Sequence, residues 1–151
     1  MGIEVLQAFL KRYRTIGIDT NVFIYVVEEH PVYLRFVEPV FQWLDKPQHL
    51  AITSTLTMLE LLVKPYRDSN IDLINRFYSV LSTHPRLHWV ELTLPIADEA
   101  ARLRAEYNLR TPDAIHAATA LTSHVQGFIA NDPAFEKVDG LDVLTLSRLL
   151  S

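Results

Sequence analysis

The sequence predicts a three-layer α/β/α sandwich: a central parallel sheet of four to five strands between two layers of helices, with an additional helix at the N-terminus. Three observations predict it. Short apolar runs of β character (TIGI, HLAIT, LHWVEL, GFIAN, LDVLTL) alternate with longer segments of helical spacing. That alternation is the pattern of a parallel sheet whose crossovers are helices. Of the 151 residues, 49% are apolar and 21% charged, and no repeat, low-complexity tract or Gly/Ser linker divides them. A chain of this length and balance fits one ordinary globular unit.

The elements follow in order. IEVLQAFLKRYR (3–14) has amphipathic spacing and reads as a helix ahead of the sheet, so the chain divides into a helical extension, 1–14, and an α/β unit, 15–151. TIGI (15–18) is the first strand and runs into a turn at Asp19, after which NVFIYVV (21–27) starts a short helix. PVYLRFVEPVFQWLDK (31–46) is helical, with a break or kink expected at Pro39, which has no N–H to give. HLAIT (49–53) is the second strand, and Thr53 or Ser54 is placed to cap the helix TLTMLELLVK. SNIDLINRFYSVLSTH (69–84) has apolar residues at helical spacing, Ile71, Ile74, Phe77, Tyr78 and Leu81. LHWVEL (87–92) is the third strand. LPIADEAARLRAEY (94–107) carries a helical stripe of Ile96, Ala100, Leu103 and Tyr107. In RTPDAIHAATALTSH (110–124), Thr111 suits a cap and Pro112 the first helical position. GFIAN (127–131) and LDVLTL (141–146) complete the sheet.

Charge and cysteine content narrow the function classes. The net charge is −4 and there is no cysteine. A general nucleic-acid coat would show a basic stripe, whereas an enzyme that holds nucleic acid briefly needs only a few local cations. Disulfide frameworks and thiolate metal sites are excluded. At the N-terminus the apolar stretch precedes the basic cluster, the reverse of a secretory signal, and no small-residue cleavage site follows. No apolar run reaches the roughly 20 residues needed to span a bilayer. The expectation is a soluble, cytoplasmic protein with no membrane partner.

Four acids stand in apolar settings. Asp19 closes the first strand, and Asp132 follows GFIAN at the same type of position. In open parallel sheets, sites form beyond the carboxyl ends of the strands. Glu60 lies in TLTMLELLVK with Leu56 and Val63 on its face. Asp113 lies in the first turn of a helix whose Ala117 and Ala120 share its face, small enough to let that helix approach the sheet. Gathered acids repel one another; a hard divalent cation resolves the conflict by taking a few carboxylates and several waters. Each acid also has an ordinary reading. Asp19 can cap the helix after it, Glu60 can pair with Lys64 at i+4, Asp113 can complement a helix dipole, and Asp132 can serve the turn before Pro133.

The segments IDTNVFIYVV, TSTLTMLELL, RTPDAIHAATAL and GFIANDPAFEKVDGLDVL, in this order, resemble the PIN-domain ribonucleases, in particular the VapC-type toxins of toxin–antitoxin pairs. TPDAIHAATAL is the most specific of them. The resemblance runs from Thr15 to the C-terminus and implies a PIN-like nuclease domain with an acidic endoribonuclease site dependent on Mg²⁺ or Mn²⁺. By position, Asp19, Glu60, Asp113 and Asp132 match the family's four catalytic acids, with Asp19, Asp113 and Asp132 as metal ligands. Thr20 matches the hydroxyl residue that follows the first acid, and with Arg110 it is a candidate substrate contact. The family often has Thr where this chain has Ala130, and many relatives lack the N-terminal helix. The implied partners are an RNA substrate, a cognate antitoxin and a second copy of the chain in a homodimer.

Other features receive plainer readings. His116 shares a helix face with Asp113 and reads as structural. KRYR (11–14) can meet phosphates but also suits a solvated helix end. Trp43 and Trp89 lie in apolar patterns, as core or interface residues. Two rival functions remain at this point. One is phosphoryl transfer through an aspartyl-phosphate at Asp19, weakened because Asn21 stands where such enzymes usually carry a second Asp. The other is a non-catalytic module whose acidic pocket takes an arginine from a partner.

Overall fold

The computed structural model describes residues 2–150. The sheet has five strands, β1 (Thr15–Ile18), β2 (Leu50–Ser54), β3 (Leu87–Val90), β4 (Gly127–Ala130) and β5 (Asp142–Thr145). All pairings are parallel and the spatial order is β3-β2-β1-β4-β5. The chain therefore builds outward from β1 to β3, returns to the other side of β1, and builds outward again. Between β1 and β4 the order reverses, the place where an open α/β sheet leaves a crevice at its carboxyl edge.

Two cores cover the two faces. On one, α1 (Gly2–Lys11), α2 (Thr20–Val27), α3 (Leu34–Leu44), α4 (Leu56–Arg67) and α5 (Ile71–Phe77) bury Leu6, Phe9, Val22, Phe23, Phe36, Val40, Leu61 and Phe77 against Ile16, Ile18 and Ile129. On the other, α6 (Leu94–Tyr107) and α7 (Thr111–Thr122) bury Ile96, Leu103, Ala114, Ala117 and Ala118 against Ile52 and Phe128. Alternation along each strand sends neighbouring residues to opposite cores. Phe128 thus faces the alanines of α7 while Ile129 faces the larger helical layer. No helix among the described residues is long and apolar enough to cross a membrane.

The N-terminal helix is tied to the body at several points. The Trp43 indole N–H donates to the Leu10 carbonyl at 3.1 Å. Just beyond α1, the Tyr13 hydroxyl and the Arg12 guanidinium both donate to Asp142 at the start of β5. Tyr13 lies over Gly127, where an added Cβ would sit 2.7 Å from its ring.

Several boundaries differ from the sequence reading, for identifiable reasons. The third helix begins at Leu34 and runs unbroken through Pro39, and α4 extends through Pro65 to Arg67. Each proline removes one helical hydrogen bond, and burial of Val37, Val40 and Leu44, or of Leu61 and Leu62, outweighs that loss. Arg110, not Thr111, holds the N-cap of α7, so Thr111 and Pro112 lie one position further into the helix than expected. The segment 69–84 is α-helical only to Phe77 and continues as a π-helical turn, Tyr78–Ser82. There the hydroxyls of Ser79, Ser82 and Thr83 donate to the carbonyls of Arg76, Tyr78 and Ser79.

Gly17 pairs with Phe128 across β1 and β4, and a Cβ at Gly17 would lie 2.7 Å from Cδ1 of that ring. Gly17→Ala is therefore expected to destabilise the fold by about 1–3 kcal/mol through overpacking. Phe128→Leu in the same chain should recover part of it. Urea unfolding of the single and double variants checks this, and an additive double variant would disprove the clash.

Candidate active site

The four acids converge at the carboxyl edge of the sheet. Asp19 directly follows β1, and its backbone N–H donates to Ile129 of β4 at 2.9 Å, so the reversal point fixes its position. Asp132 lies two residues beyond β4. Asp113 occupies the first turn of α7, and Glu60 the middle of α4. All four line one cavity of about 220 Å³, together with Thr20 and Arg110.

Hydrogen bonds order the cavity. The Thr20 hydroxyl donates to Glu60 Oε1 at 2.7 Å, and His116 Nε2 lies 2.5 Å from the same oxygen. Because a carboxylate oxygen only accepts, Nε2 carries a proton here. His116 Nε2 is also 3.7 Å from Asp19 Oδ1. Behind Thr20, Thr53 donates to the Ile18 carbonyl at 3.1 Å. Thr57 must then be the donor in its 2.6 Å bond to Thr53, since the single hydroxyl proton of Thr53 is taken. These buried hydroxyls fix α4 against the end of β1. At the mouth, Arg110 Nε is 3.1 Å from Asp113 Oδ2, and Arg110 Nη2 reaches to 4.0 Å from Asp132 Oδ2.

Asp19 holds the N-cap position of α2 but makes no side-chain capping bond. Glu60 turns toward His116 and Thr20 rather than Lys64. Asp132 does serve its turn, since Oδ1 accepts from Ala134 N–H at 2.9 Å. Its second oxygen is left for the Arg110 side. Thr20 is buried with its hydroxyl committed to Glu60, whereas the Arg110 side chain is 74% exposed.

Burial is the largest single influence on Asp19, Glu60 and His116, but it prevails only at Asp19. It pushes the Asp19 carboxyl up to about 6, against the pull of His116 and of the Thr20 backbone N–H. Burial also acts to raise Glu60, but hydrogen bonds from His116 and Thr20 outweigh it and hold that carboxyl below its ordinary value. Burial works to strip the proton from His116, yet the bond to Glu60 and the charge of Asp19 prevail and raise it. His116 thus stands buried between two acids that favour its protonated form, a role the sequence reading did not give it. The signal was its i+3 spacing from Asp113 on the alanine face of α7.

The cavity donors are carboxylate oxygens, and the one imidazole is tied to Glu60. Such a set suits a hard cation that keeps much of its water, as Mg²⁺ does. Among the described residues, no three or more His, Cys, Asp or Glu side chains are grouped closely enough to hold a metal ion by themselves, so an ion here would rest on fewer direct carboxylates and on water. Arg110 supplies counter-charge at the mouth, and His116 a hydrogen bond within.

Comparison with known proteins bears on the family and the fold. The family model described as the PIN domain matches residues 16–141. A toxin–antitoxin complex from Klebsiella pneumoniae is similar with 25% identity and a TM-score of 0.66, over 86% of this chain and 96% of that one. VapBC2 from Rickettsia felis, solved bound to a promoter DNA fragment, shares 15% identity with a TM-score of 0.65, over 87% of this chain and 98% of that one. Mycobacterium tuberculosis VapC20, described as a sarcin–ricin loop cleaving toxin, shares 14% identity with a TM-score of 0.67, over 80% and 92%. At such low identity the last two show likeness of fold alone. No curated protein sequence matches the chain.

Asp19 yields a stability prediction independent of activity. Folding raises its carboxyl from 3.8 to about 6, so the folded state binds that proton more tightly. Stability therefore falls as pH climbs through this window, and the penalty is complete above it. In EDTA at pH 7.5, Asp19→Asn should be more stable than the parent by roughly 1–3 kcal/mol. The gain should vanish near pH 4. Denaturant unfolding at the two pH values measures it; a less stable variant at pH 7.5 would contradict the burial argument.

Proposed function

The chain belongs to the PIN domain family, and from that premise we propose that it is a metal-dependent endoribonuclease, the toxin of a toxin–antitoxin pair. The reading rests on one observation above all, the convergence of Asp19, Glu60, Asp113 and Asp132 on a single cavity at the sheet's reversal point. In this reading residues 15–151 form the nuclease unit and 1–14 its extension.

Asp19, Asp113 and Asp132 would hold Mg²⁺ or Mn²⁺. Bound there, such an ion supplies a lowered pKa for a water and charge compensation for a phosphoryl oxygen. The chain's own groups do the rest. His116 and Thr20 keep Glu60 ionised and fixed in direction, which also makes it a weak base. Glu60 therefore orients the attacking water by accepting its hydrogen bond. Arg110, at the exposed rim, meets the scissile phosphodiester, and Thr20 acts on the substrate through Glu60. Hydrolysis leaves a 5′-phosphate and a 3′-hydroxyl.

The partners follow the same reading. Relatives are described as toxin–antitoxin complexes, and α4 exposes a stripe of Leu59, Val63 and Tyr66, unpartnered in the single chain. That stripe suits an antitoxin segment. Leu94, 86% exposed at the start of α6, suits a second copy of the chain. Cytoplasm is the compartment in which cellular RNA would be met.

One observation favours a second reading. Arg110 already bridges Asp113 and Asp132, as a partner's arginine would in a non-catalytic interaction module. Cleavage of a mixed cellular RNA pool by purified, antitoxin-free protein separates the two. We expect cutting with Mg²⁺ or Mn²⁺, none in EDTA, and a loss of at least about 100-fold in Asp19→Asn and Asp113→Asn. Folded protein that cuts no RNA under any condition would favour the module, and full activity in Asp19→Asn would exclude metal-assisted hydrolysis at this cavity.

A further inference from the structure

A second cavity lies at the opposite, amino-terminal edge of the sheet. Lys11 and Arg14 reach it from the segment entering β1, Trp43 from α3, and Lys46 and His49 from the segment entering β2. Its volume is about 760 Å³, against about 220 Å³ for the acidic cavity. That size is typical of small-ligand sites. Arg14 and Asp19 are separated by the length of β1, roughly 16 Å at the usual rise per residue.

Its charge is one-sided. Lys11, Arg12, Arg14 and Lys46 line it and no Asp or Glu does, in a protein whose net charge is −4. Arg12 is engaged by Asp142 at 2.9 Å. Among the described residues, the side chains of Lys11, Arg14 and Lys46 form no ion pair. The neighbouring Asp45 pairs instead with His84, at 3.4 Å. Three like charges around a concavity repel one another, and a bound anion relieves them.

The cavity also has a flat, fixed wall. The His49 ring stacks on Trp43 at 4.0 Å with a 9° interplanar angle. His49 Nδ1 lies 2.6 Å from the Trp43 carbonyl. A carbonyl only accepts, so Nδ1 carries the proton and Nε2 is left for a ligand. The indole N–H is held by the Leu10 carbonyl.

We propose that this cavity binds a phosphate-bearing ligand of mononucleotide size, its phosphates on Lys11, Arg14 and Lys46 and its planar ring against the His49–Trp43 wall. Stacking on an aromatic wall and charge pairing with the cations are both sequence-tolerant forms of recognition. The site is independent of the nuclease reading, since it shares no residue with the acidic cavity.

Isothermal titration calorimetry on the full chain tests it, with EDTA present so that no metal can hold a nucleotide at the acidic cavity. The probes are ADP, pyrophosphate, adenosine and a short oligouridine. The expected result is saturable binding of ADP, weaker binding of pyrophosphate and none of adenosine. In Arg14→Gln/Lys46→Gln, two exposed positions whose change should spare the fold, ADP affinity should drop at least about 10-fold. Absence of ADP binding up to about 10 mM, or ADP binding untouched by the double variant, would overturn the proposal. So would pyrophosphate binding as tightly as ADP, which would take the ring out of the site. Binding of oligouridine alone would overturn it too, making the cavity a contact for an RNA chain instead.

Discussion

The burial of Asp19 at the end of β1 sets the terms for everything around it. A carboxylate in that position is costly unless a positive charge stands near. The fold supplies a proton donor from within, His116 on α7, and braces it with Glu60 on α4. Three elements distant in sequence are thus held in register by one buried charge problem. The hydroxyls of Thr20, Thr53 and Thr57 extend the same network into the junction of β1 and α4.

The packing makes this arrangement possible. Ala114, Ala117 and Ala118 bring α7 close to the sheet, and only that approach lets His116 reach across to Glu60. On the other face, larger side chains from five helices fill a thicker layer around Phe23 and Phe36. The site therefore sits at the edge between a thin core and a thick one. Buried acids in such a place oppose stability, and the apolar layers on both sides absorb the cost.

Much of this was legible from the chain alone. Strand positions followed from short apolar runs, and α6 matched its expected span because Thr93 caps it and Asn108 ends it in the left-handed region. Asp19 and Asp132 were legible from strand ends, Glu60 and Asp113 from apolar helix faces, and the family resemblance joined the four. What was not legible has physical causes. Pro39 looked like a breaker because propensity cannot see the tertiary burial that carries a helix through it. The π turn at Tyr78–Ser82 depends on hydroxyls bonding to backbone carbonyls, which leaves no periodic mark. His116 looked structural because its significance lies in Glu60, 56 positions away. Arg110 was legible as a neighbour of Asp113 but not as a bridge toward Asp132.

An all-parallel sheet gives a chain two chemically distinct edges, and in this chain a cavity lies at each. Residues that precede strands fall on one edge, and residues that follow strands fall on the other. Lys11, Arg14, Lys46 and His49 precede β1 and β2. Asp19 and Asp132 follow β1 and β4. The order of charges about each strand in the sequence thus becomes a polarity across the molecule, cationic at the amino edge and anionic at the carboxyl edge. A net charge of −4 conceals this, because the sum discards position. The strands are only four or five residues long, so the two fields lie near one another. Side-chain pairing within each edge, Arg110 with Asp113 and Arg12 with Asp142, limits how far either field reaches into the other.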